Sequence, residues 1–119
     1  MGLAIYACDF EPIWQSSYSY FGQFRTALAE AAGIGHWDLT ETNEYHLLGL
    51  WYQLPEEPLD IIFSHSDCDG FLLPFMCEAL ADRIEGLVSK LPEEFREGAG
   101  VFIEGLHRAF ESGTLVEFA

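Results

Sequence analysis

The sequence predicts an α+β fold, helix-dominated, with a small sheet of about three strands packed against three to four helices. Three observations carry this. Short apolar runs open and close the chain at Leu3 to Cys8 and Thr114 to Phe118, and a third lies at Leu59 to Ser64. Long segments between them repeat apolar residues at three and four positions, the period of a helix face. Strands and helices interspersed in this order give a sheet covered by helices. At 119 residues the chain fits one domain, 1–119, large enough to bury a core without metal or disulfide staples.

Taken in order, Leu3 to Cys8 is apolar on both faces, as expected of a strand inside a sheet. Phe21, Phe24, Leu28 and Ala31 define the first helix, with Ser17 or Ser19 as N-cap and Gly33 as the stop. Between Gly35 and Gln53, Tyr45, Leu48, Trp51 and Tyr52 fit either a helix face or a strand, and a short helix beginning near Thr42 is the expectation. Leu54-Pro55-Glu56-Glu57-Pro58 reads as a surface connection, because proline disfavours helix at the residue before it. Leu59 to Ser64 is the second strand candidate, and the turn His65 to Gly70 follows. Leu73, Cys77, Leu80, Ala81, Ile84, Leu87, Val88 and Leu91 predict one amphipathic helix from Leu73 through Leu91, with Pro74 in its first turn. Pro92 ends that helix or starts the next, whose stripe is Phe95, Ala99, Phe102, Leu106 and Phe110, ending at Gly113. Thr114 to Phe118 closes the chain as a strand.

Charge narrows the function classes. Twenty acids stand against five Lys plus Arg, a formal charge of −15. Affinity for nucleic acid and anionic membranes rests on Lys and Arg, so direct binding to either is not expected. The same charge attracts basic proteins and speeds encounter with them. Three cysteines, Cys8, Cys68 and Cys77, cannot all pair within one chain, and no opening segment combines basic residues with a long apolar stretch; a reducing cytoplasm is the expected setting. No apolar run approaches the roughly 18 residues of a membrane span.

The densest chemistry sits in His65-Ser66-Asp67-Cys68-Asp69-Gly70. Asp67-x-Asp69-Gly70 matches the first half of a calcium loop, but its twelfth position falls on Met76, where calcium requires a bidentate carboxylate. Zinc suits His65 with Cys68 or Cys77 better, yet there is no C-x-x-C pair and no H-E-x-x-H, so further ligands would come from Cys8, His36 or His107. Cys68 as a nucleophile with His65 as its base is disfavoured by the flanking aspartates, which raise a thiol pKa. A hydrogen-bonded turn selects the same residue types, and that structural reading leads. No complete catalytic signature occurs, and no cofactor is expected. The alternative is a zinc or calcium site, or a metal-dependent hydrolase, on His65, Asp67, Cys68 and Asp69.

The other feature is rows of acids. Glu78, Asp82 and Glu85 share one face of the third helix, while Glu93, Glu97, Glu104 and Glu111 follow one side of the fourth. Only Glu104 with Arg108 makes an obvious opposite-charge pair at four residues. Trp14, Tyr18, Tyr20, Trp37, Tyr45, Trp51 and Tyr52 are more rings than the core needs and so are candidate interface anchors. The leading expectation is an acidic module that occupies a basic partner, a protein or a nucleic-acid-binding complex, as an inhibitor of the immunity-protein or anti-CRISPR-like, nucleic-acid-mimicking type.

Three segments together resemble a family of short, uncharacterised bacterial and phage proteins with an HSDCDG signature. They are Ser17-Tyr18-Ser19-Tyr20-Phe21 with Phe24 and Arg25 beyond it, His65 to Gly70 with Cys77 in the next helix, and Glu104-Gly105-Leu106 through Leu115-Val116-Glu117-Phe118. The resemblance covers most of the chain, and the hexapeptide is its most specific element. Members tend to be polar after the glycine, where this chain has Phe71-Leu72-Leu73. The resemblance implies a phage or mobile-element setting and carries over no activity and no catalytic residue.

Overall fold

A computed structural model describes residues 2–7, 12–34, 53–63, 65 and 70–118. The architecture is α+β and helix-dominated, with a four-stranded antiparallel sheet in the order β2-β1-β4-β3. The expected helix near Thr42 lies outside the described residues.

Strand β1 (Gly2–Ala7) turns back into β2 (Pro12–Ser17), which pairs with it from Gly2↔Ser17 to Ile5↔Trp14 before a bulge shifts the register to Tyr6↔Pro12. β2 was not expected, because a proline weakens a strand signal. Here Pro12 is the first residue of an edge strand, where its missing N–H costs no ladder bond. β1 lies inside the sheet, as its apolar run predicts, and its other neighbour is β4 (Val116–Phe118), through Ile5↔Phe118 and Ala7↔Val116. β3 (Phe71–Leu72) adds a short second edge on β4.

Helix α1 (Tyr18–Ala31) starts where Ser17 Oγ accepts the Tyr20 N–H at 3.0 Å, and it ends before Gly33, whose φ of +74° a side chain would resist. Leu59 to Ser64 is corrected. Asp60–Phe63 is a short helix, α2, entered through a turn in which the Asp60, Ile61 and Ile62 N–H groups bond the Glu57, Pro58 and Leu59 carbonyls. Leu59, Ile61, Ile62 and Phe63 are all buried around an exposed Asp60, and so short an apolar run has too few residues for its period to separate a strand from a helical turn. Glu57 decides the matter locally by accepting the Leu59 N–H on its side chain at 3.2 Å.

Pro74 opens α3 (Pro74–Glu85), which stops at Gly86 instead of running to Leu91. A 3-10 turn, Val88–Lys90, follows, and it keeps Leu87 and Leu91 buried although the backbone has left the α-helix. Arg96 Nε and Nη2 donate to Leu91 O and Ser89 O, tying this connection to α4 (Glu93–Ser112). Glu93 and Glu94 occupy the first turn of α4, where acids complement the helix dipole, and Gly113 ends it at φ +67°.

The core lies between sheet and helices around Trp14. Its ring centroid is 5.4 to 5.8 Å from those of Phe24, Phe21, Phe102 and Tyr20. Trp14 is buried, and Tyr18 and Tyr20 pack partly buried against the core, so these three rings belong to the scaffold. Trp37, Tyr45, Trp51 and Tyr52 lie outside the described residues. Phe110, expected in the apolar stripe of α4, is instead 38% exposed near the helix end.

Candidate functional site

Helix α3 packs along α4, and this pairing brings Asp82 and Glu85 to His107. Met76, Cys77, Leu80, Ala81 and Ile84 turn one face of α3 inward, which leaves Glu78, Asp82 and Glu85 exposed on the other. On α4, Phe95, Ala99, Phe102, Leu106 and Ala109 are buried, and Glu93, Glu97, Glu104 and Glu111 are exposed along the opposite side. All seven predicted contact acids are therefore on the surface. Glu104 and Glu111, with Gly100, Ile103, His107 and Arg108, line a shallow groove.

The five cations, all within the described residues, do little to balance this face. Arg25 is buried. Arg83 holds Glu57 with three bonds, Nε to Oε1 at 3.2 Å, Nε to Oε2 at 3.0 Å and Nη2 to Oε1 at 2.9 Å. Arg96 is committed to backbone carbonyls, Lys90 lies at the end of the 3-10 turn, and Arg108 sits on α4 between Glu104 and Glu111. The hydrogen bond from Arg83 draws the Glu57 carboxyl below its ordinary pKa and raises that of Arg83. Asp60 moves the other way, raised by burial and then by the nearby Glu57 charge.

Asp82 and Glu85 also meet a residue of the neighbouring helix. His107 Nε2 lies 3.9 Å from Asp82 Oδ1 and 3.8 Å from Glu85 Oε2. The sequence offers His107 only as one distant candidate ligand. The Asp82-x-x-Glu85 spacing is visible there, but the approach of α4 is not.

The HSDCDG segment is anchored at its two described residues, His65 and Gly70. His65 is buried, its ring stacks on Phe118 with centroids 4.0 Å apart, and Nε2 donates to Phe71 O at 3.0 Å, since a carbonyl only accepts. Arg25 of α1 lies over the Phe21 ring and donates from Nη1 to Ile62 O at 3.1 Å and His65 O at 3.0 Å. Gly70 sits at φ +106°, a backbone angle that favours glycine, and its carbonyl accepts the Phe118 N–H. The imidazole nitrogen that donates to Phe71 is not a metal ligand. Asp67, Cys68 and Asp69 lie outside the described residues. Cys77 is a buried free thiol with its pKa pushed up to about 12 by burial, so it is neither a nucleophile nor a ready ligand.

Comparison with family profiles, with curated proteins and with solved structures finds no match. Among the described residues, no helix is long and apolar enough to cross a membrane.

Proposed function

We propose that this chain is a small acidic protein-binding module whose α3–α4 face docks on a basic surface of another protein, the nucleic-acid groove of an enzyme or effector complex being the surface of matching charge. One observation supports this reading above the rest. Two packed helices expose Glu78, Asp82, Glu85, Glu93, Glu97, Glu104 and Glu111, while Arg25, Arg83 and Arg96 are engaged elsewhere. Rows in which carboxylates outnumber the nearby cations repel one another at a cost to folding, and a cationic partner relieves that repulsion on binding. Inhibition follows from occupancy: a partner whose cationic groove is filled by carboxylates cannot hold nucleic acid there. A reducing cytoplasm is the setting we assign, in keeping with the free thiol of Cys77.

Affinity purification from host cells at low salt tests the reading, with the wild-type chain compared with a variant carrying Glu78→Gln, Asp82→Asn, Glu85→Gln, Glu104→Gln and Glu111→Gln. The expected result is a basic, nucleic-acid-binding protein retained by the wild type, lost from the variant and displaced by added nucleic acid. Equal retention by both chains contradicts the reading.

A further inference from the structure

We propose that Asp82, Glu85 and His107 form a three-ligand site for a divalent first-row transition cation, bridging α3 and α4. Asp82 and Glu85 stand one helical turn apart on α3, so both carboxylates project to one side, and His107 reaches that side from α4. One ligating atom from each of the three falls within 4.8 Å of the other two.

The separations of 3.8 and 3.9 Å from His107 Nε2 to the two carboxylates exceed the roughly 3.2 Å limit of an N–H···O hydrogen bond and lie within the roughly 4 Å reach of an ion pair, which a cation bound between the three groups would replace. They do suit a shared ion. Ligand atoms about 2.1 Å from one cation stand roughly 3.4 to 3.9 Å apart over bond angles of about 110 to 135°. The cluster closes on an ion by small side-chain rotations, with the two helices left where they are.

The donor set selects the class of metal. Two carboxylates neutralise a dication, and the imidazole favours zinc and its neighbours over calcium and magnesium, which take oxygen ligands. Exposed Glu78, Glu104 and Glu111 on the same two helices raise the local cation concentration. Three protein ligands leave coordination positions for water, and the groove lined by Gly100, Ile103 and Glu104 opens beside His107. This site differs from the His65 bend in position and ligands, and it stands whether or not the acidic face docks on a protein.

Titration of the metal-free full-length chain with zinc chloride, by calorimetry and thermal melting, tests the proposal without any partner present. The expected result is one zinc per chain and a higher melting temperature, because the ion ties α3 to α4. Loss of an outer hydrogen-bond partner already costs a metal site about 10- to 100-fold in affinity, so His107→Ala, which removes a ligand, should weaken zinc by at least about tenfold. Asp82→Asn should do the same should His107→Ala fold poorly, while His46→Ala keeps wild-type affinity. No one-to-one binding by the wild type, or unchanged binding by His107→Ala or Asp82→Asn, overturns the proposal.

Discussion

Arg83 and Glu57 form a two-pronged ion pair across 26 residues, with Nε to Oε2 at 3.0 Å and Nη2 to Oε1 at 2.9 Å. It fastens the connection before α2 to the last turn of α3. Both side chains are partly exposed, at 34% and 26%, so solvent screens the pair, and Glu57→Gln should cost about 1 kcal/mol, the upper end for such pairs. The sign of its pH dependence follows from the lowered Glu57 pKa. The contribution is complete above the ordinary carboxylate value of 4.5 and is lost as pH falls through the depressed folded value. Urea melts of wild type and Glu57→Gln from neutral pH downward should converge at acid pH, and a gap that widens there would contradict this.

Arg25 presents a different case because it is buried. Replacement by Met removes both charge-assisted bonds to the buried carbonyls, leaving Ile62 O with the His65 N–H at 3.3 Å, and the loss of the two bonds should cost roughly 2 to 4 kcal/mol. Arg25→Lys recovers only part of this, since an ammonium lacks the flat guanidinium that lies 4.5 Å over the Phe21 ring. Equilibrium urea unfolding of both variants gives the order wild type, Lys, Met; equal stability of Met and wild type would remove Arg25 as a clamp.

Two glycines of α4 should respond in opposite ways to alanine. A Cβ on Gly100 meets nothing within 4 Å, so Gly100→Ala should gain about 0.5 to 1 kcal/mol from helix propensity. A Cβ on Gly98 lies 3.0 Å from Tyr20 Oη and 3.5 Å from Trp14 Nε1, and relief requires moving the hydroxyl that bonds Glu94 O. Thermal melts should therefore place Gly98→Ala at or below wild type and Gly100→Ala above it. Combining Gly98→Ala with Tyr20→Phe should recover stability by removing the crowded oxygen.

Cys77 should be chemically silent. With its thiol pushed up to about 12, a Cys8→Ser, Cys68→Ser chain should react with a thiol reagent at neutral pH only after unfolding. Prompt labelling of the folded chain would show that the helix faces are misplaced.

The amphipathic helices were legible because their apolar period survives in sequence, as with Phe21, Phe24 and Leu28 in α1 and Phe95, Ala99, Phe102 and Leu106 in α4. Their ends were legible where a local residue sets them, as Ser17, Gly33 and Gly113 do. The strand expected at Leu59 to Ser64 is a helical turn at Asp60–Phe63 instead, because four buried apolar residues around one exposed Asp60 make too short a period to tell the two apart. β2 and β3 escaped notice for other reasons, a proline at the start of one and a length of two residues in the other. The acid rows could be read from helical spacing alone. The meeting of His107 with Asp82 and Glu85, and the reach of Arg25 to the carbonyl of His65, depend on how distant segments pack, which no local pattern encodes.

The docking account is tested most directly by the salt dependence of affinity for the recovered partner, measured by calorimetry between about 50 and 200 mM salt. It predicts a steep fall in log K with log salt for the wild type and a shallower slope, with weaker binding, when Glu78, Asp82, Glu85, Glu104 and Glu111 are neutralised. The same slope for both chains, or an affinity indifferent to salt, would contradict it.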